Sequence, residues 1–157
     1  MSTNGTRSPR AGLVMVDSQT LRLSQAIARY QIRQVVWLIE GLAARGFVDL
    51  TPAHVAFVSV LDCADNFASE VARRLNLSRQ AVHKTVRELS ALGYIETVEN
   101  KAKRNSRIIQ ITEHGEELIA QARQMYAELD REMQAKLGAS EIDKIIAFLD
   151  EEAEEKG

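Results

Sequence analysis

The 157-residue chain is expected to be mostly α-helical with one small β-hairpin, on three observations. Two prolines, eight glycines and few aromatics accompany long stretches rich in Ala, Leu, Glu, Arg and Gln, a composition of helix formers rather than of a sandwich or barrel. Apolar residues recur every three or four positions over most of the length. The exceptions are "YIETVEN" (94–100) and "SRIIQIT" (106–112), alternating or β-branched segments joined by the polar, basic "KAKRN". With 45% hydrophobic residues, a chain of this length can bury a core as one domain.

The elements follow in order. After a polar arm, residues 1–17, the stretch "DSQTLRLSQAIARYQIRQVVWLIEGLAARG" opens with capping residues and closes at Gly46, a long first helix. Its apolar residues, notably Val35, Val36, Trp37, Leu38 and Ile39, spread around more than one face, which predicts packing on several neighbours. In "LTPAHVAFVSVL", Thr51 as N-cap and Pro52 at the first helical position start a short apolar helix. "DCADN" breaks the pattern, and "FASEVARRL" forms a third helix capped by Asn66 or Asp65. Cys63, the single cysteine, excludes an intrachain disulfide and is expected to be a small buried hydrophobe.

"VARRLNLSRQAVHKTVRELSALGYI" (71–95) has the offsets of a helix-turn-helix. Two helices crossing steeply through a short turn need small or apolar residues where they touch. Ala72 sits where bulk would clash, and Val71, Leu75 and Leu77 are expected to fill the space between the helices. Asn76 tolerates a left-handed turn, Ser78 caps the second helix, and Gly93 ends it. At about 100° per residue, Arg79, Gln80, His83, Lys84, Arg87 and Ser90 fall within one arc of about 140°. Ala81, Val82, Thr85, Val86, Leu89 and Leu92 occupy the opposite arc, and the sole acid, Glu88, lies outside the polar one. A solvated helix mixes both charge signs on its outer face, so a one-signed arc points to DNA.

Charge along the chain agrees. Residues 69–107 carry 9 basic and 4 acidic side chains, whereas residues 108–157 carry 5 and 13, within a net charge of −2. Ser78, Arg79, Gln80, His83, Lys84 and Arg87 are the candidate recognition residues; those early on the helix reach base edges, Arg suiting guanine and Gln adenine. Arg87, Arg73 and Arg74 suit phosphates or the solvated rim. Lys101, Lys103, Arg104 and Arg107 make the hairpin a cationic wing. Thr112 caps a long helix running to Gly138, and Ser140 with Asp143 resembles a capping box starting the last one.

The order "LTPAHVAFVSVL", "EVARRLNLSRQAVHKTVRELSALGYIE", basic hairpin, "IQITEHGEELI" resembles the multiple-antibiotic-resistance-regulator (MarR) family of bacterial transcription factors over nearly the whole chain. The resemblance implies a winged helix-turn-helix at 51–112 and a helical dimerisation region at 18–50 and 113–157. It also implies a homodimer on palindromic promoter double-stranded DNA and, often, a small aromatic or lipophilic effector. An effector pocket would lie between the first two helices and the fifth, near Tyr30, Trp37 and Phe57, although residue type alone favours core packing for all three. The family's wing usually carries Asp-x-Arg before its second strand; Lys103 and Asn105 stand there instead, so the minor-groove Arg and its brace are missing.

Three rivals stand against a regulator. An enzyme lacks support, because HExxH, GxGxxG and phosphate-loop motifs are absent and His54, His83 and His114 show no metal-ligand spacing, so no metal or cofactor is expected. A winged helix used as a protein-interaction module and a non-specific DNA binder remain. With no signal-like or membrane-spanning segment, a cytoplasmic location is expected.

Overall fold

A computed structural model gives the structure of residues 10, 12–103 and 106–154, without the side chain of Glu154. The described residues form six helices and a three-stranded antiparallel sheet: α1 (Gln19–Ala43), α2 (Pro52–Ser59), β1 (Asn66–Phe67), α3 (Ala68–Leu75), α4 (Arg79–Ala91), β2 (Ile95–Glu99), β3 (Arg107–Ile111), α5 (Glu113–Leu137) and α6 (Ala139–Glu154). The sheet order is β1-β3-β2, with Thr97 and Asn66 flanking Ile109 from either side.

Local chemistry sets most boundaries. Ser18, Thr51, Ser78 and Thr112 accept hydrogen bonds from the backbone N–H three residues ahead, which satisfies otherwise orphaned donors at four helix starts. Asn76 ends α3 in the left-handed region (φ 51°, ψ 46°), and Gly93 (φ 80°) turns the chain out of α4. Gly115 is needed for another reason. A Cβ there would lie 2.1 Å from the Tyr94 carbonyl oxygen, so only glycine lets α5 start against the chain entering β2.

Five expectations need correction. Asn66 does not cap α3: it lies in β1, 2% exposed, and Phe67 takes the N-cap position without a side-chain hydrogen bond. The Asn66 side chain instead closes the preceding loop, accepting from Asp62 N–H (2.8 Å) and donating to the Asp62 and Ala64 carbonyls (both 2.9 Å). Asn66→Ala is expected to cost about 1–3 kcal/mol by stranding these groups, measured by urea unfolding. Leu77 is 42% exposed in the turn rather than wedged between helices, because Val71 and Leu75 already fill that space. Cys63 is exposed, being in the loop before β1. Ser140 lies inside α6, which starts one residue earlier off the Gly138 carbonyl.

The fifth concerns α1. The core gathers Phe57, Leu42, Leu89, Val71, Val82 and Ile109, all fully buried. From α1 only Leu38 and Leu42 are buried, because α2 and α5 cover only its C-terminal half. Leu21, Leu23, Tyr30, Ile32 and Val36 stay exposed within one chain, and so do Ile145, Ile146, Phe148 and Leu149 of α6.

Candidate nucleic-acid interface

The α3–α4 turn is held by Leu77 N–H donating to the Ala72 carbonyl (2.9 Å), and the Ser78 hydroxyl then accepts from Ala81 N–H (3.1 Å). This geometry rolls Val82, Thr85 and Leu89 into the core and leaves Arg79, Gln80, His83, Lys84, Arg87 and Ser90 exposed together. The Thr85 hydroxyl donates back to the Ala81 carbonyl (3.1 Å), so no polar group of this side chain is stranded. Among the described residues, Arg73, Arg79 and Arg87 make no ion pair. Their charge is therefore uncompensated at close range and available to an anion.

Arg74 differs. Its guanidinium donates to Asp62 (2.9 Å) and to the Val60 carbonyl (2.7 Å), tying α3 to the loop before β1. The Asp62 carboxylate raises its pKa further, through the hydrogen bond first and charge second. This residue braces the motif's edge.

The wing is the β2–β3 hairpin. Asn100 shapes its turn: its side-chain oxygen accepts from Ala102 N–H (2.9 Å) and its backbone N–H donates to the Ser106 carbonyl (2.9 Å). Lys101, Lys103 and Arg107 are exposed, and Arg107 pairs in register with Glu99 across the hairpin. Arg104 and Asn105 lie outside the described residues.

One constellation escaped sequence reasoning. His54, 3% exposed, is the reciprocal half of the Thr51 capping box: its Nδ1 accepts from Thr51 N–H (3.2 Å). That bond leaves the proton on Nε2, which donates to Glu88 Oε2 (2.9 Å) on α4. The other Glu88 oxygen lies 3.7 Å from the Lys84 ammonium. The His54 hydrogen bond, more than Lys84, holds the Glu88 carboxyl below the usual glutamate range. Stability from this group is thus present above the ordinary glutamate pKa and lost as pH falls through the lowered one. The available signal was a histidine three residues after an N-cap threonine, where capping boxes ordinarily carry Glu or Gln.

A mostly apolar cavity of about 280 Å³ opens between α1, α2 and α5. Leu38, Leu42, Val55, Val58, Leu118 and Ala122 give it an apolar wall; His54, Cys63, Arg123 and Tyr126 bring polar atoms. Its place matches the expected effector pocket, but Tyr30, Trp37 and Phe57 are not among its lining residues. Phe57 is fully buried in the core, and Tyr30 is half-exposed on the free part of α1. Trp37 stands behind the lining, its ring edge-on to Tyr126 at 5.5 Å. Burial, with Tyr30 nearby, raises the Tyr126 hydroxyl pKa, so it remains a neutral hydrogen-bonding group.

A three-stranded sheet with a cationic hairpin beside a helix-turn-helix defines a winged-helix protein. Residues 48–104 match the model of the MarR family. The fold is shared by CouR, a transcriptional repressor bound to a 23-mer DNA duplex (23% identity, 89% of this chain and 99% of that one, TM-score 0.69). It is shared also by a mutant MarR from E. coli complexed with operator DNA (20%, 85% and 94%, 0.67). A third is the PcaV regulator from Streptomyces coelicolor in complex with its natural ligand (14%, 92% and 100%, 0.68). None of the curated proteins matches the chain in sequence. No helix among the described residues is long and apolar enough to cross a membrane.

Proposed function

We propose that the chain is a sequence-specific double-stranded DNA-binding transcriptional regulator of MarR type, acting as a homodimeric, ligand- or signal-responsive repressor on a palindromic promoter site. The observation that carries this reading is the one-signed exposed arc of Arg79, Gln80, His83, Lys84 and Arg87 on a complete winged helix. A protein-interaction module is disfavoured by the same arc, since interface centres are depleted in Lys and built on apolar anchors. The DNA-bound structures of CouR and MarR support the reading by analogy of fold.

Residues 51–112 are the DNA-binding unit in this reading, and 18–50 with 113–157 the dimerisation region, preceded by the arm of residues 1–17. The exposed apolar residues of α1 and α6 support a second copy as their partner, because patches of that kind are costly on a monomer. The apolar cavity suits a small aromatic or lipophilic effector; about 150 Å³ suffices for a benzene ring. Action as a promoter-binding regulator fits a cytoplasmic location and requires no catalytic role.

Selection of bound duplexes from a random library at near-physiological salt, with the solution mass recorded, tests this reading. The expected result is an inverted repeat with half-sites about 10 base pairs apart, bound by a species of twice the 17.5 kDa chain mass. Weak, salt-sensitive binding without enrichment would instead identify a non-specific DNA binder. Within the selected site, Arg79→Ala should relax preference at one base pair per half-site at about 1–3 kcal/mol. Lys103→Ala should weaken all sequences alike and flatten the salt slope by about one per subunit. Equal losses on selected and random DNA for Arg79→Ala would remove its base-reading role.

A further inference from the structure

A polar path joins the cavity to the exposed arc of α4. His54 forms part of the cavity wall, yet both its ring nitrogens are committed elsewhere, Nδ1 to the Thr51 N–H that caps α2 and Nε2 to Glu88 on α4. Glu88 is the only acid on α4, and its second oxygen faces Lys84 of the arc. The imidazole therefore cannot shift without loosening the cap of α2, its bond to α4, or both. We propose that His54 is a positioning residue through which occupancy of this cavity lowers the DNA affinity of α4. An occupant pressing on the imidazole breaks the Nε2–Glu88 bond; Glu88, released, pairs more fully with Lys84, withdraws one cation from the arc and unties α4 from α2. This mechanism rests on the DNA-binding reading above. By linkage, bound DNA should weaken cavity binding by the same factor that occupancy weakens DNA binding.

The chain's single cysteine supplies the probe, because Cys63 is both exposed and part of the cavity wall. Benzyl methanethiosulfonate converts it to a benzyl mixed disulfide, and the affinity for the selected inverted repeat is read by fluorescence anisotropy before and after. Modification of the wild-type chain is expected to weaken binding about tenfold, inside the range of about 5–150-fold usual for coupled sites. In Glu88→Ala, whose removed side chain is 41% exposed and outside the core, the loss should shrink below about twofold. Glu88→Gln keeps an acceptor oxygen for Nε2–H but carries no charge to set against Lys84, so it should restore only the part of the loss that comes from untying α4 from α2. Cys63→Ser treated identically should show no change, which assigns the effect to the tethered group. An equal loss in Glu88→Ala and wild type, or no loss in wild type, overturns the relay while leaving DNA binding intact. Failure of the unmodified wild type to select any duplex overturns the regulator reading, and the relay with it.

Discussion

Phe57→Ala is expected to destabilise the folded chain by about 3–5 kcal/mol, the usual cost of truncating a fully buried aromatic ring. Phe57 is 0% exposed on α2, in one cluster with Val71, Val82 and Leu89, so the lost ring leaves a void shared by α2, α3 and α4. Because α4 and the turn before it rest on that cluster, the loss reaches the candidate site through its foundation. Urea unfolding at one fixed chain concentration should show a lower midpoint with an unchanged slope, and the thermal midpoint should fall by on the order of 10 °C. A pocket-lining Phe57 predicts the opposite, an altered ligand affinity on a chain of nearly normal stability. A loss below about 1 kcal/mol would show that the site collapses around the smaller side chain.

How much was legible follows from the range over which each feature is determined. Caps at Thr51, Ser78 and Thr112 are read from sequence because each bond spans three residues and is decided by side-chain type. The polar arc of α4 follows from helical periodicity, which needs no tertiary information. Asn66 was misread because the alternative to capping α3 is pairing in β1 with Ile109, 43 residues away, and composition says nothing about that partner. The His54–Glu88 bond spans 34 residues and stayed invisible for the same reason. A cavity lies between the helices where the resemblance implies an effector pocket, but Phe57 turns into the core and Trp37 sits behind Tyr126, outcomes set by packing around each helix. Leu77 shows the reverse error, an apolar residue assigned to the interior although the two positions before the turn had already filled it.

Ile145→Asp combined with Leu149→Asp is expected to convert the proposed dimer to monomers and to reduce affinity for the selected inverted repeat by about a thousandfold or more, toward the non-specific level. The two residues stand one turn apart on α6, 49% and 37% exposed, so the chain does not need them for its own core. Burying two carboxylates against a partner's apolar surface is prohibitive, whereas on a monomer both remain in water. The winged helix should stay folded and keep its one-signed arc, since the helices that build it bury other residues. Each detached unit then binds phosphates with the salt slope of one half-site, while the affinity that came from engaging two half-sites at once disappears. Light scattering and anisotropy on the same samples decide the matter. A variant that stays dimeric would move the interface elsewhere, to the exposed face of α1. One that becomes monomeric yet binds as tightly as wild type would show that a single arc carries the recognition, and the exposed stripe of α6 would then need a partner other than a second copy.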